Sequence, residues 1–260
     1  MIRAICCVPV GPLRSEPSHR TEMVSQLLFG ECCEILDQSN RDWHRVRVRF
    51  DGYEGWCQPT HLVEVNESEY ESGTFAMTPE WVTALEYNGH PMMVPMGSQL
   101  TAMRNGKAKW GRKNQVRYKG EIWDAAAGVI DPKSIRQLTY KYLNTPYLWG
   151  GRSVFGIDCS GFTQSVFKFL GVSLLRDAYL QAGQGEAVGF LEETRTGDLA
   201  FFDNDEGRIT HVGILLNANE IIHASGKVRI DKIDNMGIVQ SESFERTHHL
   251  RVIKRLLVEK

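Results

Sequence analysis

The feature that most constrains this chain is a glycine-punctuated stretch, from Thr145 to Phe169, in which a cysteine opens a helical pattern. It reads Thr-Pro-Tyr-Leu-Trp-Gly-Gly, passes through Gly156-Ile157-Asp158-Cys159-Ser160-Gly161-Phe162 and runs on into apolar residues. Phe162, Val166, Phe169 and Leu170 fall at i, i+4, i+7 and i+8, which predicts an amphipathic helix from Cys159 onward. Gly156 breaks the chain just before it, and Asp158 is a good N-cap. Cys159 then holds the first helical position, where unpaired backbone N–H groups and the helix dipole favour the thiolate, the reactive form of cysteine. A small apolar residue at a helix start would fit the same place if the cysteine stood alone.

Two histidines keep it company. In Ile209-Thr210-His211-Val212-Gly213-Ile214 the strand period of two puts His211 and Gly213 on one face and Val212 and Ile214 on the other. The apolar face can pack on the core while His211 points into a cleft where the glycine leaves room. Ile221 and His223 share a face of the next strand, and a hairpin through residues 217–219 can bring His223 near His211. A nucleophilic cysteine needs an adjacent base, and the base needs a third group to fix its tautomer. Cys159, His211 and His223 meet that requirement if the strands pack on the N-terminus of the cysteine helix. The same spacing also suits two histidines hydrogen-bonded within a sheet.

The remaining signals bound the setting. A chain of 260 residues with 42% hydrophobic and 24% charged residues has room for two or three domains. Its net charge of −2 gives no basic field, so a nucleic-acid partner is not expected. No apolar run approaches a membrane span, and the N-terminus lacks the pattern of a signal peptide, so a cytoplasmic protein without a membrane partner is expected. The same pattern would follow from removal of a leader. Five of the six cysteines lie in the first 60 residues without metal-ligand spacing; they are expected to be reduced and buried, with no metal and no cofactor. Residues 1–65 carry short β-type runs separated by turn residues, 66–78 read as a polar linker, 79–125 return to short β-type runs, and 126–260 combine helical segments with several strands, an α+β pattern.

Several of these segments resemble known families. Asp51-Gly52-Tyr53-Glu54-Gly55-Trp56-Cys57 followed by Leu62-Val63 resembles bacterial SH3-like domains, and residues 79–125 look like a second, degenerate unit of that kind. Asp158-Cys159-Ser160-Gly161-Phe162, Gly197-Asp198-Leu199-Ala200-Phe201-Phe202, His211-Val212-Gly213-Ile214 and Ile222-His223-Ala224-Ser225-Gly226 resemble, in order and spacing, the NlpC/p60 cysteine peptidases. The resemblance implies a papain-like α+β catalytic domain preceded by two small all-β SH3-like barrels. With Tyr147-Leu148-Trp149-Gly150-Gly151 and Arg176-Asp177-Ala178 also present, the implied activity is that of the murein-recycling γ-D-glutamyl-L-diamino acid endopeptidases. These cut wall peptides that carry a free N-terminal L-Ala.

By the same resemblance, Cys159 attacks the γ-carbonyl of D-Glu, His211 takes the thiol proton, and His223 orients His211. The backbone N–H of Cys159, with the Tyr147 hydroxyl, would hold the oxyanion, and Trp149 would wall the pocket. The free amine would be met by Glu22, Tyr53, Asp158 and Asp177, and the D-Glu α-carboxylate by Ser160. Ala178 stands where many relatives have a serine, which removes one hydrogen-bond donor from the expected set. A monomer acting on a murein peptide is expected. Two other readings are a non-catalytic wall-fragment binding protein and a thiol acyltransferase on the same fold.

Overall fold

Short runs in which β-branched and aromatic residues alternate with polar ones put most of the chain's regular structure into antiparallel strands. The computed structural model describes residues 2–72, 76–126 and 130–257. It divides into two compact units, Met1–Ala127 with Trp149–Phe155, and Gly128–Leu148 with Gly156–Lys260.

In the N-terminal unit a seven-stranded antiparallel sheet runs in the order Met23–Leu28, Val10–Arg14, Glu54–Cys57, His44–Val48, Cys32–Asp37, Ile2–Cys6, Leu62–Val65. The strand period of two sorts its neighbouring cysteines onto different cores. Cys6, Cys33 and Cys57 pack with Leu13, Leu27 and Val46. Cys7 and Cys32 face the other way, into a cluster with Phe29, Leu85, Val94, Trp110 and Val116. That second cluster joins the first β-module to the following four-stranded sheet, ordered His90–Pro95, Val82–Tyr87, Asn114–Arg117, Lys107–Trp110. All five of these cysteines are buried and free. The expected linker is not a plain tether. Asn66 closes a capping box with Glu69 on a short helix, Glu67–Glu71, that buries Tyr70. Ala76–Met77 then pairs with Trp123–Asp124; residues 73–75 of the expected linker lie outside the described residues.

Trp149–Phe155 clusters with this same unit through a buried ion pair. The Arg152 guanidinium donates to both oxygens of Glu31, at 2.9 and 3.0 Å, and to the Gln26 carbonyl at 2.6 Å. Leu28 N–H supplies a further donor to Glu31 at 2.9 Å. Gly150 is required there: at φ +75° a Cβ would lie 2.2 Å from the Met23 carbonyl oxygen.

The C-terminal unit is α+β. Asp131 caps the helix Pro132–Tyr140, with proline at its start and Ile135 and Leu138 buried. The cysteine helix spans Cys159–Phe169, as its apolar spacing predicts. Strands Leu199–Asp203, Ile209–Asn217, Glu220–Ser225, Lys227–Asp234, Gly237–Val239 and Arg246–Arg255 pair in succession. The last strand is long enough to pair with both Gly237–Val239 and Leu199–Asp203, which closes the sheet into a six-stranded barrel. Ala200, Phe202, Leu215, Ile221, Ile233, Ile238 and Ile253 form its apolar cluster. No described helix is long and apolar enough to cross a membrane.

Candidate active site

Asp158 starts the cysteine helix by accepting a hydrogen bond from Gly161 N–H at 2.6 Å. Cys159 is therefore the first helical residue, and its thiol meets the backbone N–H groups of Val212 and Ser160. These donors do not produce a resting thiolate. Burial, then the nearby Asp158 carboxylate, push the thiol up to about 12. The expected acidifying effect of the helix start is outweighed, so Cys159 keeps its proton until a base removes it.

The base expected for it, His211, and the expected orienting residue His223 lie on the hairpin Ile209–Asn217/Glu220–Ser225. Its register sets Gly213 opposite His223 and Phe202 opposite His211. A Cβ on Gly213 would lie 2.8 Å from the His223 Cβ, so glycine is what admits the second histidine. His211 Nε2 and His223 Nδ1 are 2.8 Å apart, which leaves His211 Nδ1 as the nitrogen available to a thiol. Both residues are buried, at 6% and 1% exposure, rather than set in an open cleft. The face carrying His211 and His223 is also the face of Leu215 and Ile221 in the barrel cluster, so both faces of the hairpin are covered. Burial lowers the pKa of both; for His211 the charges of His223 and His248 add to the effect and carry it well below the ordinary value. The resting pair is neutral.

Two residues that the motif reading passed over complete this cluster. His223 Nε2 lies 3.0 Å from Asp231 Oδ2. Asp231 is 2% exposed; its Oδ1 accepts from Ser241 N–H at 2.8 Å and from Arg229 Nη2 at 3.1 Å. Arg229 Nε is 2.7 Å from Oδ2 but lies off the hydrogen-bond direction. Burial alone would raise the Asp231 pKa, but His223, Ser241 N–H and Arg229 together hold it far below the usual carboxylate range. His248 stacks on His211, with ring centroids 4.1 Å apart, and shares a hydrogen bond with Thr247. Burial and the charge of His223 bring its pKa down to about 4. The period of two along Arg229-Ile230-Asp231 was the available signal for Asp231, since it places the carboxylate on the His223 face.

Beside the cysteine, Asp158 and Ser160 are joined by a buried cation. Arg176 donates to Asp158 Oδ1 and Oδ2 at 3.0 and 2.6 Å and to Ser160 Oγ at 2.9 Å. Asp177 is the N-cap residue of a short helix, Ala178–Gln181; Ala178 is buried, and Gln181 donates to the Ser160 carbonyl at 3.0 Å. Tyr147 is half-buried, with its backbone N–H on the Gly226 carbonyl. Burial, then Cys159 and Asp158, raise its phenol pKa, so it keeps its proton.

Residues 144–245 match the NlpC/P60 family, and residues 13–62 match the bacterial dipeptidyl-peptidase Sh3 domain. A probable endopeptidase of Haemophilus influenzae is 35% identical over 112 residues, covering 42% of this chain and 67% of its own length. The chain belongs to the NlpC/P60 family. It is accordingly a cysteine peptidase, a hydrolase. The γ-D-glutamyl-L-lysine dipeptidyl-peptidase of Bacillus cereus is 26% identical over 259 residues, 89% of this chain and 77% of that one. An NlpC/P60 family protein of Bacillus cereus with a solved structure shares the fold across 97% of this chain and 99% of its own, with a TM-score of 0.80 at 20% identity.

In this NlpC/P60 peptidase the other expected substrate residues lie in the N-terminal unit. Glu22 and Trp149 are brought together: the indole Nε1–H donates to Glu22 Oε1 at 2.5 Å. Trp149 is 60% exposed, so it is not a core residue. Tyr53 is half-buried in the turn before Glu54–Cys57, its backbone N–H on the Asp51 carboxylate at 3.0 Å. Among the described residues no group of three His, Cys, Asp or Glu side chains is placed to hold a metal ion.

Proposed function

We propose that this peptidase cleaves the γ-D-glutamyl–L-diamino acid bond of murein peptides with a free N-terminal L-Ala. It acts as a cytoplasmic monomer on released wall fragments in murein recycling. The reading is carried by the likeness, across 89% of the chain, to a γ-D-glutamyl-L-lysine dipeptidyl-peptidase. Release of a dipeptide is chemistry that measures from a free amine.

The neutral Cys159–His211 pair gives the order of steps. His211 Nδ1 takes the thiol proton as sulfur attacks the γ-carbonyl, so no charged pair is held in the buried resting site. The protonated Tyr147 hydroxyl and the Cys159 backbone N–H donate to the oxyanion. Collapse of the tetrahedral intermediate passes the proton from His211 to the leaving amine, and water, deprotonated by His211, then hydrolyses the thioester. Ser160, oriented by Arg176, faces the D-Glu α-carboxylate.

Glu22 is the carboxylate best suited to the substrate ammonium. Asp158 is engaged by Arg176, whereas Glu22 is exposed and uses only Oε1, for Trp149. The resemblance adds Tyr53, in the same unit, as an oxygen ligand, and names Asp158 and Asp177 as the carboxylates of the peptidase unit. Closing such a carboxylate against an amide instead of an ammonium leaves it unpaired, a cost of about 1–3 kcal/mol, or about tenfold or more in selectivity.

The test is kcat/KM for L-Ala-γ-D-Glu-meso-diaminopimelate and its N-acetylated form, in the wild type and Glu22→Gln. A strong preference for the free amine that weakens in Glu22→Gln is expected. Equal rates on the two peptides reject the reading, and unchanged selectivity in Glu22→Gln transfers the amine to Asp158 and Asp177.

A further inference from the structure

We infer that Asp231 is a positioning residue that sets the tautomers of both histidines, and through them the nitrogen that faces Cys159. The chain of hydrogen bonds dictates it. An ionised carboxylate is only an acceptor, so His223 must present Nε2–H to Asp231 Oδ2 across their 3.0 Å contact. His223 Nδ1 is then a lone pair, and the 2.8 Å contact to His211 can be made only by His211 Nε2–H. His211 Nδ1 is left unprotonated, the form a base must have to take the thiol proton. Without Asp231 the pair could equally run in the opposite sense, with the proton on His211 Nδ1, which could then not accept one from a thiol. This inference rests on Cys159 and His211 being the nucleophile and base.

The surroundings of Asp231 make the inference unusually easy to test, because they fix which way an amide would turn. Oδ1 receives two directed donors, Ser241 N–H at 2.8 Å and Arg229 Nη2 at 3.1 Å. In Asp231→Asn the amide oxygen therefore takes the Oδ1 place, since the reverse arrangement sets its NH2 against both donors. The amide NH2 then faces His223, with Arg229 Nε beside it but off-line. His223 must answer with an unprotonated Nε2, its Nδ1–H donates to His211 Nε2, and His211 carries its proton on Nδ1. The other groups around the pair are His248 stacked on His211, Arg229 with Glu242 at 3.5 Å, and Cys159 with Asp158 at the helix start. None of them bonds to the His211–His223 contact, so they do not decide its direction.

The expected signature is an inverted ranking of variants. Asp231→Asn, which keeps the shape of the site, should lower kcat by about a hundredfold or more with KM little changed. Asp231→Ala, which leaves both histidines free to choose, should lower it less. A role in folding alone predicts the opposite order, because alanine removes at once the acceptor used by Ser241 N–H, Arg229 and His223. The direct readout needs no turnover: two-bond 1H–15N histidine correlations, near pH 7.5, should show Nε2–H forms for His211 and His223 in the wild type and Nδ1–H forms in Asp231→Asn. Unchanged tautomers in a folded Asp231→Asn overturn the inference. If the alanine variant fails to fold, the tautomers of the asparagine variant decide alone. A flip of tautomers without loss of kcat would leave the positioning intact and reject His211 as the base instead.

Discussion

Cys159 and Gly213 each show a local preference overruled by what lies around it. A helix start acidifies a thiol, yet burial and Asp158 push Cys159 up to about 12. The rate of iodoacetamide inactivation should therefore climb steadily from pH 7 to pH 10, because the thiolate fraction keeps growing across that range. A rate already level below pH 7 would mean a preformed thiolate and overturn the neutral resting pair. Cys159→Ala should abolish cleavage with folding retained, since the other five cysteines are buried in the N-terminal unit and take no part; residual turnover at the wild-type rate would rule out the nucleophile. At Gly213 the constraint is steric. A methyl group there would meet Ile221 Cδ1 at 2.7 Å and His223 Cβ at 2.8 Å. Gly213→Ala should cost about 1–3 kcal/mol in chemical denaturation and also lower kcat, because the group that must give way is the histidine bonded to His211. Loss of stability with unchanged kcat would show that His223 tolerates displacement.

At the scale of elements, the best test is the ion pair that holds Trp149–Phe155 in the N-terminal unit. Arg152 and Glu31 are each about 1% exposed and bonded to one another twice. Glu31→Gln leaves the guanidinium buried without its counter-charge, and a loss of about 3–5 kcal/mol is expected. Replacing both partners by apolar residues of similar size should recover much of that loss in urea unfolding; a double variant as unstable as the single one would contradict the argument. Neither partner was singled out in the sequence, because an isolated Glu and Arg separated by 121 positions carry no local pattern. The same limit explains the rest of what the sequence hid. The cysteine helix and the histidine hairpin were legible, since each rests on a short-range period, a cap or a turn. Lys227–Asp234 was not picked out as a strand, because the charged residues Arg229 and Asp231 occupy the face where an apolar alternation would be sought. Arg176 was read only as part of the Arg176-Asp177-Ala178 motif and given no role, although it is the cation that ties Asp158 to Ser160.

For the whole molecule, the buried histidines make stability depend on pH in a stated direction. His211, His223 and His248 all have folded pKa values below the usual 6.5, His248 at about 4, chiefly because burial disfavours the imidazolium. The unfolded chain gains protons as pH falls through about 6.5, while the folded chain does not until lower pH. Their contribution is complete above pH 6.5 and is lost progressively as pH drops towards the folded values. The carboxylates act in a lower window: Asp231 is held far below 3.8, and Asp234, bonded to Arg246, at about 2, so what they add is present above about pH 4 and is lost only beneath it. Between pH 7 and pH 4.5 the histidines therefore dominate, and three of them lie in the peptidase unit against His61, lowered by burial and His19, in the N-terminal unit. The calorimetric transition of the peptidase unit should move to lower temperature as the pH is taken from 7 to 4.5, and by more than that of the N-terminal unit. His248→Gln should flatten part of that fall, because one group that the unfolded chain protonates has been removed. Stability rising on acidification, or an identical slope in the variant, would mean that these histidines are not held neutral in the folded protein, and the proton transfer from Cys159 to His211 would have to be reassigned with them.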